Sequence, residues 1–172
     1  MQPVAPAVAS HAGHGAAPDL RELFGQAASS TWVVTGYGTE GPVGFTAISV
    51  TSASLHPPMV TFNVSQAAAS LVTLRETRKA NLQLLSEGQD DVAIRFSGER
   101  DLRFSDPTVW RDRPHGGPDI LGVVGRLSVD IHEFVAAGDS VVVVAQVIAS
   151  ESDPTRRPLL HHARRYTRIL DR

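Results

Sequence analysis

The stretch GYGTEGPVGFTAISV, residues 36–50, decides between two folds. Its glycines match the G-x-G-x-x-G pattern, which binds a pyrophosphate when a helix follows directly and supplies free N–H groups. Here Pro42 and the strand-like residues VGFTAISV follow instead. Glycines between two strand-like segments are typical of a β-hairpin turn, where they adopt positive φ angles. The stretch therefore predicts a hairpin rather than a doubly wound nucleotide-binding fold.

Alternating and apolar segments predict further strands. In MVTFNVS, residues 59–65, Val60, Phe62 and Val64 fall on one face with a period of two. SVVVVAQVIAS, residues 140–150, is apolar on both faces, which is typical of a central strand. Strands are also predicted for residues 31–38, 41–55, 81–86 and 123–132.

Three short segments have the apolar spacing of helices, and they cover residues 20–27, 67–80 and 87–96. Residues 97–119 are rich in turn residues and charge, and they predict a long irregular loop of a kind that is often functional. Strands dominate, helices are few and no strand–helix alternation recurs. The sequence therefore predicts a mainly β fold, a closed or partly open antiparallel barrel.

The composition fits one folded domain. With 172 residues, of which 42% are hydrophobic and 20% charged, the chain can build one sizeable core, and we expect the domain over residues 19–172. Residues 1–18 are rich in Ala, Pro, Gly and His but lack the features of a signal peptide, which predicts a disordered tail. No apolar run approaches the roughly 18 residues that a membrane-spanning helix needs.

The composition and the missing motifs argue against several classes of function. A net charge of -2 provides no broad basic face for nucleic acid. The lack of cysteine excludes disulfides, thiolate catalysis and Cys-ligated metals, and it is compatible with a cytoplasmic location. His11 and His14 have a metal-like spacing without a third ligand, so no metal site is predicted. Neither a G-x-S-x-G elbow nor an H-E-x-x-H helix occurs.

The most distinctive segment is GFTAISVTSASLHPP, residues 44–58. Its hydroxyls offer hydrogen bonds and its small residues let a flat ligand approach the backbone, although a solvated β face has a similar composition. The segment resembles the hallmark of the flavin reductase-like, FMN-binding split-barrel proteins, approximately G-x-T-a-s-S-x-x-S-x-S-l-x-P-P. The matching positions are Gly44, Thr46, Ser49, Ser52, Ser54, Leu55, Pro57 and Pro58. The resemblance extends over nearly everything from Asp19 onward.

This resemblance implies a homodimeric Greek-key split β-barrel that holds FMN or FAD near the subunit interface. The implied cofactor residues are Thr46, Ala47, Ile48 and Ser49 along the isoalloxazine and ribityl chain, Asn63, Ser65 and Ser70 around the phosphate, and Gln83 in place of a common Asn. For Ser70 the residue pattern agrees, because a hydroxyl near a helix start favours an anion. An ordinary polar residue at a helix N-terminus is the alternative.

The candidate catalytic residues are His161, Tyr166 and Ser140. His161 and Tyr166 lie where the closing segment of the family approaches the active site, and a histidine there can steer a nicotinamide or donate a proton. A solvated basic end is the alternative. Ser140 marks a departure, because reductases of the family commonly carry Gly-Asp-His, a motif associated with the nicotinamide cofactor, where this chain has Gly138-Asp139-Ser140.

The resemblance implies an NAD(P)H:flavin oxidoreductase that passes a hydride from NADH or NADPH to FMN or FAD. The reduced flavin would then reach a partner monooxygenase. Two alternatives stay open because the histidine of the motif is missing: a barrel that binds flavin without oxidising a nicotinamide, and a barrel adapted to another biosynthetic step.

Overall fold

The computed structural model describes residues 19–113 and 116–169, so the predicted tail at residues 1–18 lies outside the described residues. The helices are α1 Leu20–Gln26, α2 Ala69–Thr77 and α3 Asp90–Ser97, with a 3-10 turn at Arg100–Leu102. The strands are β1 Ser29–Ser30, β2 Trp32–Gly38, β3 Gly41–Ala47, β4 Thr51–Leu55, β5 Pro58–Ser65, β6 Lys79–Leu84, β7 Trp110–Arg111, β8 Asp119–Ile120, β9 Gly125–Ala137, β10 Ser140–Ser152, β11 Leu160–His162 and β12 Arg165–Thr167. None of the helices in the described ranges has the length and apolar character needed to cross a membrane.

Seven strands form one antiparallel sheet in the order β3-β2-β6-β9-β10-β5-β4. The order is not sequential, as Greek-key connections produce, and β10 is central as predicted. The hydroxyl of Ser49, just after β3, accepts a hydrogen bond from the Asn63 N–H of β5 at 3.0 Å. Segments from the two ends of the sheet order therefore meet, and the curled sheet is the mainly β split barrel that the sequence predicts.

The hairpin prediction for residues 36–41 is confirmed. Gly38 pairs with Gly41 across a turn formed by Thr39 and Glu40, and β3 follows directly. Gly41 has a φ angle of 117°, a conformation that favours glycine. The turn therefore joins two strands, and no helix follows its glycines.

The barrel interior contains the main hydrophobic core. Val60, Phe62 and Val64 of β5 point inward and are at most 6% exposed, which confirms the predicted period of two. Leu71 and Leu74 of α2 close one end of the same core. Since burying one such side chain contributes about 1.5–3 kcal/mol, this cluster is the main source of stability and fixes the start of α2 against the barrel.

A second core lies between α3 and the outer side of β2. Val92 and Phe96 of α3 pack there beside Val33. Phe104 contacts Phe96 edge to face at a centroid distance of 5.0 Å, and Trp110 contacts Phe104 in the same way at 5.2 Å. These contacts attach the long irregular loop to the barrel.

Several element boundaries differ from the sequence prediction: β6 is Lys79–Leu84 rather than residues 81–86, β9 extends to Ala137, and the predicted loop over residues 97–119 contains the 3-10 turn and β7. Two further differences have a clear structural description. The helix predicted over residues 67–80 ends at Thr77, because Arg78 adopts a left-handed conformation with φ 52°, and Lys79 begins β6. The single strand predicted over residues 41–55 is two strands, which are separated between Ala47 and Thr51.

Candidate functional site

A cavity of about 450 Å³ opens between the barrel and α3. Strands β3 and β5 and the start of α2 form one side, and the end of α3 with the following loop forms the other. Four residues predicted from the sequence come together in its lining: Thr46, Asn63, Ser65 and Ser70. The lining also includes Gly44, Phe96, Ser97, Arg100, Arg103 and Phe104.

Ser70 lies in the first turn of α2, where backbone N–H groups have no partner inside the helix. Its side chain is 3% exposed, and its hydroxyl has no hydrogen-bond partner in the described part of the chain. The N-cap residue Ala68 supplies no side-chain hydrogen bond. A buried polar group without a partner is unfavourable, and a helix N-terminus favours negative charge. This end of the cavity is therefore suited to an anion.

Two arginines of the irregular loop reach the cavity. Arg103 donates from Nη1 to the Gly44 carbonyl at 2.6 Å and from Nη2 to the Gly98 carbonyl at 2.8 Å. Burial, together with the like charge of Arg100, lowers the pKa of Arg103. The guanidinium of Arg100 has no hydrogen bond or ion pair within residues 19–113 and 116–169. Arg103 therefore supports the β3 wall, whereas Arg100 is available to an anion.

Residues 46–49, which we name the rim, adjoin the cavity at Thr46, whereas Ala47, Ile48 and Ser49 lie outside its lining. Hydrogen bonds hold this segment at both ends. The Thr46 hydroxyl donates to the Ala93 carbonyl of α3 at 2.7 Å. Ala47 is buried in the barrel core, whereas Ile48 is 45% exposed. Ser49 is engaged with β5 through the Asn63 N–H at 3.0 Å. These contacts fix the backbone of the rim, and the exposed Ile48 side chain faces away from the core.

Gln83 lies outside the lining of the cavity. It is fully buried, and its amide nitrogen donates to the Thr35 hydroxyl at 3.1 Å and to the Pro118 carbonyl at 3.2 Å. Its amide oxygen accepts the N–H of Ile120. Because every polar atom of the side chain is used, Gln83 attaches the loop before β8 to the barrel, and we omit it from the proposed cofactor site.

His161 and Tyr166 pair across the β11–β12 hairpin, and their rings lie 5.5 Å apart edge to face. Tyr166 packs on the outer core beside α3. The pKa of Tyr166 is raised overall. Burial is the largest cause, the charge of Asp90 adds to it, and a hydrogen bond with Ser97 acts in the opposite direction. Ser97 lines the cavity, whereas Tyr166 and His161 are both outside its lining.

Ser140 begins β10 directly after the Gly138-Asp139 turn and pairs with Ser65 of β5. Its hydroxyl donates to the Asp139 carboxylate at 3.2 Å. The Gln66 N–H donates to the Asp139 carbonyl at 2.9 Å, so the turn is attached to the segment that leads into α2. Ser140 is therefore a neighbour of Ser65 and does not itself line the cavity.

A buried ion network fixes the far end of the loop, and sequence reasoning missed it. The carboxylate of Asp119 is 0% exposed and lies 2.9 Å from Arg126 Nε, 3.2 Å from Arg113 Nε and 3.5 Å from Arg111 Nη2. Glu151 pairs with Arg113 at 3.0 Å and with Arg126 at 2.9 Å. A hydrogen bond from Arg113 is the largest cause that lowers the pKa of Glu151. The network holds β8 against β9.

Among the described residues, no group of three or more His, Cys, Asp or Glu side chains is arranged to bind a metal ion. The cavity lining offers hydroxyls, the Asn63 amide, two arginines and an apolar wall.

Comparisons with known proteins give the same family from sequence and from structure. The family model described as "Flavin reductase like domain" matches residues 24–170. The NADH:FMN oxidoreductase of Rhodococcus qingshengii is 35% identical over 156 residues, which cover 88% of this chain and 81% of that protein. The NADH:FAD oxidoreductase SgcE6 of Streptomyces globisporus C-1027, solved in complex with NAD and FAD fragments, superposes with a TM-score of 0.81 at 32% identity over 88% of this chain and 91% of that chain. BorF, the flavin reductase component of a bacterial two-component tryptophan halogenase, superposes with a TM-score of 0.79 at 28% identity over 89% of this chain and 98% of that chain. The chain therefore belongs to the flavin reductase-like family.

Proposed function

We propose that the protein is an NADH-dependent flavin reductase whose reduced flavin serves a partner monooxygenase. The observation that carries the proposal is the anion-binding end of the cavity, formed by Ser70, the first turn of α2 and Arg100, which we name the phosphate seat. A flavin nucleotide ends in a phosphate, and the match of the family model to residues 24–170 supports the assignment.

The residues around the cavity fit such a nucleotide. The phosphate seat offers a buried hydroxyl, an uncapped helix start and a cation that has no carboxylate partner in the described chain. Asn63 and Ser65 line the same cavity and add an amide and a hydroxyl to it. The backbone of the rim, held at Thr46 and Ser49, gives the isoalloxazine a fixed edge to bind. These polar groups and the adjoining apolar wall suit an amphipathic ligand.

A bound flavin supplies the redox chemistry, because its isoalloxazine accepts a hydride from a reduced nicotinamide. The chain supplies position: the phosphate seat and the rim hold the two ends of the nucleotide, and correct orientation lowers the barrier to transfer. Phe96 and Phe104 give the cavity an apolar side that excludes water. Of the described residues that line the cavity, none is a carboxylic acid or a histidine, which is consistent with a reaction that needs no side-chain acid.

We propose that Tyr166 and His161 help to position the nicotinamide of NADH and take no direct part in hydride transfer. Tyr166 is supported by its contact with Ser97 in the cavity wall, and His161 by its ring contact with Tyr166. A Tyr166→Phe variant is expected to raise the KM for NADH with little change in FMN affinity. Equal weakening of both would contradict this assignment and indicate a purely structural role.

A second copy of the chain is proposed to complete the site. The apolar stripe of α1 forms as a helix but is not buried, since Leu20, Leu23 and Phe24 are 58%, 68% and 66% exposed. The Gly25 carbonyl at the end of α1 accepts the Ala163 N–H of the β11–β12 turn at 2.7 Å, which places the stripe beside the closing segment. Sedimentation velocity is expected to give a dimer, and a monomer that still binds flavin would contradict the proposal.

The monooxygenase partner is supported by the relatives. BorF is described as the flavin reductase component of a bacterial two-component tryptophan halogenase. HsaB of Mycobacterium tuberculosis, 29% identical over 152 residues, is described as the reductase subunit of a flavin-dependent monooxygenase. A reductase that supplies another enzyme has to release its reduced flavin. We therefore expect FMN or FAD to bind reversibly and to turn over as a substrate.

An anaerobic titration tests the function. The purified protein is titrated with FMN, then with NADH and separately with NADPH, while the visible absorbance of the flavin is followed. Bleaching of excess FMN by NADH at catalytic protein concentration is the expected result, with FMN and NADH without protein as the control. Tight binding without bleaching would contradict the reductase assignment and favour a flavin-binding barrel without reductase activity. An absence of flavin binding would contradict both.

A further inference from the structure

A second cavity lies at the end of the barrel where β9 begins and β10 ends. It has a volume of about 340 Å³. Residues 121–126 and 151–153 form most of its lining, and Arg111 and Arg156 complete it. We name it the arginine pocket. Within the described ranges it has no lining residue in common with the cavity of the phosphate seat, so it is a separate place on the molecule.

The acidic side chains of the arginine pocket are already paired. The Glu151 carboxylate lies 3.0 Å from Arg113 Nη2 and 2.9 Å from Arg126 Nη1. The Asp153 carboxylate lies 2.9 Å from Arg156 Nε. Arginines of the same chain therefore balance both carboxylates, which reduces the repulsion that an anionic ligand would meet.

Most backbone carbonyls of the loop at residues 121–124 are also used. The Leu121 carbonyl accepts a hydrogen bond from the Gln89 side chain at 2.7 Å, and the Gly122 carbonyl accepts one from the Ser86 hydroxyl at 2.6 Å. The carbonyl of residue 124 accepts the N–H of residue 153 at 2.7 Å. Few acceptors of this loop are therefore left for a ligand that donates hydrogen bonds.

The donors of the same loop are free. The N–H groups of Gly122 and Val123 have no acceptor among the residues that the structure describes. A β-carbon built on Gly122 would lie 3.6 Å from Nη1 of Arg156, so this guanidinium is next to the free N–H groups. Arg156 uses Nε in its pair with Asp153, and in the described chain its two terminal nitrogens have no partner.

Arg111 adds a second incompletely used cation. Its contact with the Asp119 carboxylate is 3.5 Å long, which is beyond the usual length of a hydrogen bond between charged groups, and 59% of its side chain is exposed. Asp119 also has closer partners in Arg113 and Arg126. The guanidinium of Arg111 is therefore available to a ligand at little cost to the buried network.

The free hydrogen-bonding groups of the arginine pocket are thus mainly donors, and two of them are cations. A guanidinium donates two parallel hydrogen bonds to a carboxylate or a phosphate. Successive free N–H groups beside a residue with positive φ, here Gly122 at 71°, form a concavity of the kind that binds anions. The volume of about 340 Å³ is at the small end of ligand sites, which suits a small molecule.

We propose that the arginine pocket binds a small organic oxyanion through its carboxylate or phosphate group. Arg111, Arg156 and the Gly122–Val123 backbone would hold that group. The proposal is independent of the proposed function, because it uses none of the residues that line the cavity of the phosphate seat.

Nuclear magnetic resonance titration of the 15N-labelled, flavin-free full chain tests the site residue by residue. The probes are inorganic phosphate and acetate in Tris buffer, with sodium chloride keeping the ionic strength constant. The amide signals of Gly122 and Val123 are expected to shift along a saturable curve with at least one probe. A response to phosphate alone indicates a phosphate ester as the ligand, and a response to acetate indicates a carboxylate. The amide of Ser70 reports separately on phosphate bound at the phosphate seat.

Two variants test the cations. Arg156→Gln and Arg111→Gln are each expected to weaken the binding seen at Gly122 about tenfold, because each removes charged hydrogen bonds. Arg75→Gln is the matched control, since it removes an exposed arginine of α2 outside the pocket, and an unchanged affinity is expected.

Three results would overturn the proposal: no saturable shift at Gly122 and Val123 with either probe, an unchanged affinity in both pocket variants, or an equal loss in Arg75→Gln. The same samples are titrated with FMN. Normal FMN binding beside any of these results would refute the arginine pocket alone, whereas saturable shifts at Gly122 without FMN binding would refute the proposed function alone.

Discussion

Replacing Ser70 by alanine is expected to act in opposite directions on the free protein and on its FMN complex. The Ser70 hydroxyl is buried, with 3% of the side chain exposed, and it has no partner in the described chain. Its position in the first turn of α2 directs it into the cavity at the phosphate seat. The substitution removes one oxygen atom and leaves the β-carbon that packs in the helix.

The two magnitudes follow from this geometry. In the free protein, removal of a buried hydroxyl without a partner relieves a desolvation cost of about 1 kcal/mol, and alanine is also the better helix former. In the complex, the lost hydrogen bond to a charged phosphate contributes about 1.5–3 kcal/mol. That loss corresponds to an FMN affinity weakened by roughly ten- to hundredfold.

The assay compares FMN with riboflavin, which lacks the phosphate. Quenching of flavin fluorescence gives both dissociation constants, and urea unfolding gives the stability of the flavin-free protein. We expect Ser70→Ala to weaken FMN alone, to leave riboflavin unchanged and to raise the free energy of unfolding. Ser105→Ala is the control, because that exposed hydroxyl donates to the Leu102 carbonyl outside the cavity. Equal weakening of FMN and riboflavin, or a less stable free protein, would refute the reasoning.

Three further substitutions test the scaffold. Asp119→Asn is expected to lower the free energy of unfolding, measured in urea, by about 3 kcal/mol, because it removes the buried carboxylate that pairs with Arg126 and leaves Glu151 as the remaining acidic partner of that arginine. Gly44→Ala would place a β-carbon 2.8 Å from Cε1 of Phe96, and it is expected to destabilise the protein by about 1–3 kcal/mol and to weaken FMN binding. The hydroxyl of Thr108 is the largest cause that lowers the pKa of Asp106 from 3.8 to about 2. A carboxylate whose pKa is lower in the folded state stabilises the fold at pH values above its unfolded-state pKa. This stabilisation is lost as the pH falls through its folded-state pKa. Asp106→Asn is therefore expected to reduce the pH dependence of the free energy of unfolding between pH 3.8 and about 2, as followed by circular dichroism during acid titration.

The Asp119 and Gly44 substitutions each have a matched control. Asp130→Asn breaks an ion pair with Lys79 whose side chains are 44% and 56% exposed, and it is expected to change stability by about 0–1 kcal/mol. Gly25→Ala adds a β-carbon with nothing within 4 Å and is expected to be nearly neutral. A loss for Asp119→Asn no larger than for Asp130→Asn would contradict the buried network, and identical acid curves for wild type and Asp106→Asn would contradict the pKa assignment.

The strand pattern was predictable because the burial of alternate residues repeats over many positions. Val60, Phe62 and Val64 show this period in the sequence and in the core. The end of α2 was not predictable, because Arg78 stops the helix in a left-handed conformation that favours glycine. A non-glycine residue in that conformation gives no local signal, so tertiary contacts decide the boundary.

The polar residues of the candidate site also differ in whether the sequence predicts them. The position of Ser70 at the start of a helix could be predicted from the sequence, and its place near the phosphate was implied by the family resemblance and stays a prediction. Arg100 and Arg103 were not, because the path of an irregular loop depends on contacts with distant residues, such as the bond from Arg103 to the Gly44 carbonyl at 2.6 Å. Asp119 is a similar case, because its partners come from two parts of the chain, residues 111–113 and Arg126, and no spacing predicts them.

Ser140 illustrates why one motif position is hard to interpret without a structure. The Gly138-Asp139 turn aligns β10 with β5, since Ser140 pairs with Ser65, and the Gln66 side chain donates to the Gly138 carbonyl at 2.7 Å. Gly138 has a φ angle of 63°, which favours glycine at this turn. These backbone contacts place Ser65 at the cavity whichever side chain occupies position 140. Gly138 and the Asp139 carbonyl therefore contribute to the structure of the turn through contacts that do not involve the side chain at position 140.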